Sequence, residues 1–250
     1  LYSLAQFMSE YYLSPIGECV FAMIPSGKRE TDIPGFSFFQ DEKSFDAKKL
    51  TLSSEQQDAV EGILNPSSQN LFHYLYGTTG SGKTEVFLTC AERLMAQGKG
   101  VIYLVPEIGL TPQVVEAVRA RFGDTAAVLH SQLTPSQRLG EWRRILHREA
   151  RVVIGARSAV FAPLPDLGLI IIDEEHDSSY KSGSSPRYHA RQIAMLRCKR
   201  KSIPLIMGSA TPSMEAWHSM EKGSICRHLL TKRLAGGAVP EISCVNLSLE

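Results

Sequence analysis

The 250-residue chain is 43% hydrophobic and carries 27 Lys and Arg residues against 26 Asp and Glu, a formal net charge of +1. This composition excludes an intrinsically disordered chain, and the balanced charge excludes nucleic-acid binding through a global basic field. Five scattered cysteines without a C-x-x-C pair argue against a disulfide framework and predict no zinc site in this chain. The sequence shows neither a secretory leader nor a long apolar segment, so we expect a cytoplasmic location without membrane contact.

The first 24 residues have their own pattern. Apolar side chains recur at helical spacing at Leu4, Phe7, Met8, Tyr11 and Tyr12. After a break at Pro15, a short apolar run predicts a strand over residues 19–24. We interpret residues 1–24 as a helix and a strand from a domain that begins upstream, and the polar residues 25–49 as a linker. Because the first residue is Leu1 and not Met, we expect the chain to be part of a longer protein.

From residue 50 to residue 250, helical patterns alternate with short apolar strands. The predicted helices span residues 55–64, 83–98, 111–122, 135–147 and 188–201, and the predicted strands span residues 72–76, 101–105, 126–129, 152–154, 169–172, 205–207 and 240–247. Continuous apolar strands separated by helices are typical of a parallel sheet that is covered on both faces. We therefore predict an α/β fold, a doubly wound, mostly parallel sheet with helices on both faces.

A complete phosphate-binding loop lies between the first strand and the next helix of this region. It consists of Gly77, Thr78, Thr79, Gly80, Ser81, Gly82, Lys83 and Thr84. The glycines allow the backbone to approach a polyphosphate, Lys83 reaches the β- and γ-phosphates, and the Thr84 hydroxyl ligates magnesium. The loop predicts a nucleotide-binding ATPase or GTPase of the RecA-like P-loop class, without indicating which one.

An acidic cluster, residues 173–176, directly follows the apolar strand at 169–172. In a parallel sheet this strand end lies beside the phosphate loop, where Asp173 fits a second magnesium contact. Glu174 fits a general base that activates the attacking water. Taken alone, the three acids also fit a charge cluster at a helix N-terminus, but the phosphate loop favours catalysis.

Together with Ser209, Ala210 and Thr211, these motifs resemble the DExH-box helicases of superfamily 2, in which a Ser-Ala-Thr element couples ATP hydrolysis to strand movement. The resemblance implies that His176 hydrogen-bonds towards Ser209 or Thr211 and senses the nucleotide state. A strand-to-helix cap remains the alternative interpretation of the Ser-Ala-Thr element.

Residues 104–113, 129–131, 155–163 and 173–181 agree in order and spacing with one family, and resemble the PriA-type replication-restart helicases, or primosomal proteins N′. The resemblance covers about residues 50–250 and implies ATP and magnesium as cofactors. Residues 1–24 resemble the end of the family's N-terminal domain, which implies that they are the remnant of an N-terminal DNA-binding domain. Gln56 would contact adenine through its amide. The alternative is a helix cap only, since Ser53 or Ser54 can cap the helix that begins at about residue 55. Pro106, Glu107, Arg157 and Ser158 would contact the DNA strand.

A basic and aromatic segment resembles the loop through which this family couples DNA occupancy to hydrolysis. Its matching residues are Tyr180, Lys181, Arg187, Tyr188 and Arg191, which would pair with phosphates and stack on bases. The family usually has a tryptophan before the Arg-Tyr-His-Ala-Arg run, where this chain has Pro186. A solvated loop with incidental aromatic residues is the alternative.

The resemblance implies the first motor lobe of an ATP-dependent 3′-to-5′ DNA helicase in bacterial replication restart and primosome assembly. Its expected partners are forked and single-stranded DNA, single-stranded-DNA-binding protein and primosome proteins. Two other functions stay open: a nucleotide-dependent assembly platform for replication proteins, and an RNA or double-stranded-DNA translocase of the same superfamily. The family's second lobe, with its arginine finger, would follow residue 250, so we expect this chain alone to hydrolyse ATP poorly and not to unwind DNA.

Overall fold

The computed structural model describes residues 1–25, 51–65, 70–107, 112–130 and 133–233. Most of the predicted linker, the predicted strand at 240–247 and residues 108–111 of the family motif at 104–113 lie outside these ranges. None of the helices in the described ranges combines the length and the apolar composition that crossing a bilayer requires.

Helices and strands alternate along most of the described chain. The helices are α1 (Tyr2–Tyr11), α2 (Ile16–Met23), α3 (Ser54–Leu64), α4 (Lys83–Ala96), α5 (Pro112–Phe122), α6 (Pro135–Leu146), α7 (Ala190–Lys201) and α8 (Met214–Glu221). The strands are β1 (Phe72–Gly77), β2 (Gly100–Leu104), β3 (Ala126–Leu129), β4 (Val152–Gly155), β5 (Leu167–Asp173), β6 (Leu205–Ser209) and β7 (Cys226–Leu230). Short 3-10 helices lie at Gly123–Thr125, Arg157–Phe161 and Ser178–Tyr180.

Within the described residues the seven strands form one sheet in the order β3-β4-β2-β5-β6-β1-β7, with every neighbouring pair parallel. Successive residues of a strand point to opposite faces, and Tyr74 and Leu75 of β1 accordingly belong to two different hydrophobic cores. Each face of the sheet therefore has its own packed layer. The prediction of a doubly wound parallel α/β fold is confirmed.

The central strands β5 and β6 are apolar runs because both of their faces are covered. Every residue of β5 except Asp173 is buried, as are all five residues of β6. Burying one such aliphatic side chain contributes about 1.5–3 kcal/mol. This packing holds rigid the strand ends that carry Asp173 and Ser209.

The predicted strand at 19–24 is wrong, because this segment lies mostly in helix α2. Cys19 and Met23, one helical turn apart, are buried in the same core as Leu4 and Met8 of α1. A short apolar run cannot distinguish a buried strand from a buried helix by its periodicity. The α1–α2 pair thus shares a hydrophobic core with the α/β lobe.

Helix α8 and strand β7 have no counterpart among the sequence predictions. The sequence Cys-Arg-His-Leu-Leu of β7 lacks the continuous apolar run of the central strands, and only Leu230 is fully buried. An edge strand alternates partly buried and exposed side chains, which weakens its signal in the sequence.

Candidate nucleotide-binding and coupling site

The phosphate-binding loop joins the end of β1 to the start of α4. Gly80 and Gly82 have φ angles of 81° and 82°, in the left-handed region that strains other residues. A Cβ on Gly77 would lie 2.7 Å from Ser81 Oγ and 2.8 Å from the carbonyl oxygen of Leu230. The glycines therefore permit both the turn of the loop and its close approach to β7.

Polar groups line the inside of this loop. Lys83, only 7% exposed, donates from Nζ to the carbonyl oxygens of Gly77 at 2.9 Å and Thr78 at 3.3 Å. Among the described residues, Ser81 Oγ is buried without a hydrogen-bond partner. A buried ammonium, an unsatisfied hydroxyl and the N-terminus of α4 form a donor set that fits a polyphosphate.

Gln56 links α3 to the phosphate loop. Its side chain is 1% exposed; Oε1 accepts from the Ser53 N–H at 2.8 Å, and Nε2 donates to the Gly82 carbonyl at 3.1 Å. Ser53 and Gln56 form a capping box, so the predicted helix cap is present. Both ends of the amide are used within the chain, and the adenine contact of Gln56 stays a prediction.

Asp173 lies where β5 ends, close to the first turn of α4. Its Oδ2 accepts from the Tyr103 hydroxyl at 3.0 Å, and the Tyr103 hydroxyl also lies near the Thr84 side chain. Burial raises the pKa of the Asp173 carboxyl to about 6, while the hydrogen bond from Tyr103 acts in the opposite direction. The fold thus brings together the predicted magnesium residues Thr84 and Asp173, with Tyr103 between them.

Glu174 and His176 meet at Ser209. The Ser209 hydroxyl donates to Glu174 Oε2 at 2.8 Å, accepts from the Thr211 N–H at 3.0 Å, and lies 2.8 Å from His176 Nδ1. Since the single hydroxyl proton goes to Glu174, Nδ1 of His176 carries a proton and donates to Ser209. Glu174 has a φ angle of 44°, a backbone conformation that is rare for a non-glycine residue. This three-residue cluster matches the expected link between the acidic cluster and the Ser-Ala-Thr element.

Glu175 has a structural role that the sequence did not suggest. Its side chain is 0% exposed and forms an ion pair with Arg191. Its carboxylate also accepts from the Tyr74 hydroxyl at 3.2 Å, and from the Ser213 hydroxyl at 2.8 Å and N–H at 3.2 Å. A buried charge must be paired in this way. The sequence signal that could have indicated this role is the position of Glu175 as the third acidic residue at the end of a buried strand.

Several predicted DNA-contacting residues point into the protein. Arg191 is held by Glu175, and Arg157 donates to the carbonyl oxygens of Ser179 at 3.0 Å and Lys181 at 2.5 Å. Tyr180 and Tyr188 are 0% and 4% exposed, so their rings are not on the surface of this structure, and their role in DNA binding or coupling stays a prediction. Pro106 is buried too. The predicted DNA-contacting or coupling residues that are exposed are Glu107, Ser158, Lys181, Arg187 and Thr211.

The N-terminal helices pack against the segment that carries these residues. The Tyr12 hydroxyl accepts from the His189 N–H at 3.3 Å, and Lys181 Nζ lies 5.6 Å from the centre of the Tyr12 ring. Ser185 Oγ donates to Ser14 Oγ at 3.2 Å. Residues 178–191 are thus held between the acidic cluster on one side and the α1–α2 pair on the other.

A parallel sheet whose strand ends carry a phosphate loop, two neighbouring side chains with oxygen ligands and an acid–serine–histidine cluster defines a P-loop nucleotide-binding motor lobe. The family model of the DEAD/DEAH box helicases matches residues 53–219, more than half of the chain. The chain belongs to the DEAD/DEAH box helicase family, and membership implies ATP binding.

The chain is also similar to curated relatives named replication restart protein PriA. It is 54% identical over 246 residues to that of Treponema pallidum (strain Nichols), covering 98% of this chain and 37% of the relative. It is 44% identical to that of Bacillus subtilis (strain 168), covering 85% and 27%. The chain therefore spans about a third of the length of these relatives.

Among solved structures, the chain resembles RecG bound to a three-way DNA junction, with a TM-score of 0.53 and 22% identity. The match covers 75% of this chain and 25% of that one. At this level of identity the likeness supports the fold of the lobe alone.

Proposed function

We propose that this chain is the first motor lobe of an ATP-dependent 3′-to-5′ DNA helicase that acts in replication restart. The observation that carries the proposal is the contact of Glu174 with Ser209, which connects the predicted base to the predicted coupling element. The similarity to replication restart proteins over nearly the whole chain supports the choice of process. Forked and single-stranded DNA, single-stranded-DNA-binding protein and primosome proteins are the partners that we infer.

Phosphate binding, metal binding and water activation are carried out by different residues of the site. Lys83 and the backbone N–H groups of the loop bind and orient the phosphates, and Thr84 and Asp173 would hold Mg²⁺, which supplies charge neutralisation at the β- and γ-phosphates when bound. Glu174 orients a water and accepts its proton. Through Ser209, a change in the hydrogen bonding of Glu174 reaches His176 and the segment after β6. In the full-length protein a second lobe supplies the remaining contacts.

The test is Glu174→Gln in the full-length protein. Glutamine keeps an oxygen for the Ser209 hydroxyl but cannot accept a proton, so we expect ATP binding to persist while kcat falls by about 10²- to 10⁴-fold. Single-turnover hydrolysis and equilibrium ATP binding measure the two effects. Glu149→Gln, at a largely exposed carboxylate, is the matched control. Hydrolysis that persists at the wild-type rate would refute the assignment of the base.

The same preparation separates the proposed function from its alternatives. We expect forked DNA with a 3′ arm to stimulate hydrolysis more than RNA or plain duplex, and the duplex to be displaced. Stimulation without strand displacement would favour an assembly platform. Equal or greater stimulation by RNA or plain duplex would favour an RNA or double-stranded-DNA translocase of the same superfamily.

A further inference from the structure

Three side chains that can bind a metal ion meet at one edge of the sheet. His73 lies on β1, and Cys226 and His228 lie on β7, which is the edge strand within the described residues. One ligand atom of each lies within 4.8 Å of the others. His73 is four residues before Gly77, about 13 Å along the strand from the phosphate loop. The cluster is thus separate from the nucleotide site.

The strand register explains why these side chains converge. His73 is the parallel partner of Cys226, and His228 is two residues further along β7. Residues in register and residues two apart project from the same face of a sheet. Helix α3 covers this face, since a Cβ on Gly62 would lie 2.9 Å from Cε1 of His228. His73 is 1% exposed, while Cys226 and His228 are partly exposed and leave an ion a route in from the sheet edge.

The spacing of the two imidazoles matches that of two ligands on one ion. His73 Nδ1 lies 3.1 Å from His228 Nε2. Two nitrogens bound tetrahedrally to Zn²⁺ at about 2.0–2.1 Å are about 3.3 Å apart. An ion can therefore replace the hydrogen bond if the two nitrogens separate by a few tenths of an ångström and the rings rotate to direct them at the ion. The His73 ring also hydrogen-bonds the backbone of Asn70, the kind of contact that orients a metal-binding imidazole.

We propose that His73, Cys226 and His228 form a Zn²⁺ site, with water in the fourth position. Two imidazole nitrogens and one thiolate are a ligand set that suits zinc better than magnesium or calcium. This proposal reverses the expectation that the chain holds no zinc site, which relied on close spacing of ligands in the sequence. The ion would tie β7 to β1 and so hold Leu230 against Gly77 of the phosphate loop.

The test uses the 250-residue chain, stripped of metal by a chelator and kept reduced, without nucleotide. Titration calorimetry with Zn²⁺ should give one equivalent bound. Thermal unfolding should then show a higher midpoint with Zn²⁺ than without it. Co²⁺ in place of Zn²⁺ should give the visible absorption of a tetrahedral site and a thiolate-to-cobalt charge-transfer band. Thr84 and Asp173 offer only oxygen ligands, so binding at the nucleotide site would not produce that band.

Two ligand variants and one control complete the test. Cys226→Ser should abolish the charge-transfer band, and both Cys226→Ser and His228→Gln should weaken Zn²⁺ binding at least tenfold. His218→Gln, at an exposed histidine on α8, should bind as the wild type does. Circular dichroism of the metal-free proteins checks that each variant folds.

Three outcomes would overturn the proposal: no saturable Zn²⁺ binding by the wild type, a cobalt spectrum without the thiolate band, or unchanged affinity in a folded Cys226→Ser variant. The cobalt spectrum is measured on the wild-type chain and requires no variant. It can therefore refute the proposal even if the Cys226→Ser variant does not fold. In the absence of a metal site, His73 and His228 would simply be a hydrogen-bonded pair.

Discussion

At the scale of single residues, the acidic cluster at residues 173–176 contains two carboxylates at the nucleotide and coupling site and one that is buried in an ion pair. Asp173 approaches Thr84 through Tyr103, and Glu174 contacts Ser209. Glu175 instead forms a buried ion pair with Arg191. The buried pair stabilises the segment on which the other two carboxylates depend.

Ser209→Ala should separate hydrolysis from movement. It removes the hydroxyl through which Glu174 and His176 are connected, and we expect DNA-stimulated strand displacement per ATP hydrolysed to fall about 5- to 150-fold, the range of typical coupling energies. Affinity for ATP should change little, because no phosphate-binding group is lost. Parallel measurement of unwinding and hydrolysis in the full-length protein provides the ratio. Ser219→Ala is the control, and an unchanged ratio in Ser209→Ala would contradict the coupling role.

Arg191 and Arg187 should respond oppositely to truncation. Arg191→Ala leaves the Glu175 carboxylate buried without its partner, so we expect the free energy of unfolding to fall by about 3–5 kcal/mol. Arg187→Ala removes an exposed cation, and it should weaken single-stranded-DNA binding with little loss of stability. Urea unfolding of both variants measures the change in stability, and titration with single-stranded DNA measures the change in binding. Wild-type stability of Arg191→Ala would contradict the structural role.

At the scale of elements, the start of α7 depends on an uncharged histidine. His189 is the N-cap of α7, and its Nδ1 accepts from the Arg191 N–H at 3.2 Å. Burial is the largest cause that lowers the pKa of His189 from 6.5 to about 4. The charges of Arg191 and Lys181 act in the same direction, and those of Glu175 and Glu215 oppose them. Protonation would remove the acceptor and place a positive charge at the positive end of the helix dipole.

The His189 cap should therefore fail in acid. Its pKa is lower in the folded state than in the unfolded one, so the unfolded chain binds the proton more tightly. The stabilisation is complete above about pH 6.5 and is lost as the pH falls towards 4. His189→Asn keeps a capping oxygen that does not titrate. We expect the thermal midpoint to fall less in His189→Asn than in the wild type between about pH 7 and about pH 5; equal falls would contradict the mechanism.

At the scale of the whole molecule, the strand order decides where the chemistry lies. β6 lies between β5 and β1, so Ser209 sits between the acidic cluster and the strand that leads into the phosphate loop. β7 closes the other side of β1 and contacts Gly77 through Leu230. One edge of a single sheet thus assembles groups from four strands.

Nucleotide binding should stabilise this whole lobe. A nonhydrolysable ATP analogue with Mg²⁺, at about 100 times its Kd, should raise the free energy of unfolding by about 2.7 kcal/mol. Lys83→Ala removes the buried ammonium and should abolish most of this effect, whereas Lys222→Ala, at an exposed lysine, should not. Thermal unfolding of the 250-residue chain, with and without the analogue, measures this stabilisation and does not require hydrolysis. Equal stabilisation of Lys83→Ala and the wild type would contradict the assignment.

The sequence by itself determined the features whose physical causes are local. The alternation of apolar runs and helical patterns predicted the parallel α/β fold, and the glycines and Lys83 predicted the phosphate loop. The cap of α3 was predicted at Ser53 or Ser54, and Ser53 is the cap. Each depends on backbone preferences or spacing within a few residues. For the same reason, the acidic cluster at residues 173–176 could be recognised, but the different partners of its members could not.

Only the tertiary structure decided which side chains meet across distant segments. Residues 19–23 are helical because Cys19 and Met23 pack against α1. Tyr180 and Tyr188 are buried, and Arg191 forms an ion pair with the buried Glu175, so these three side chains are directed into the protein. His73 and His228 belong to strands at opposite ends of the lobe's sequence, and only the pairing of β1 with β7 brings them together. Such contacts depend on strand order and register, which no local pattern encodes.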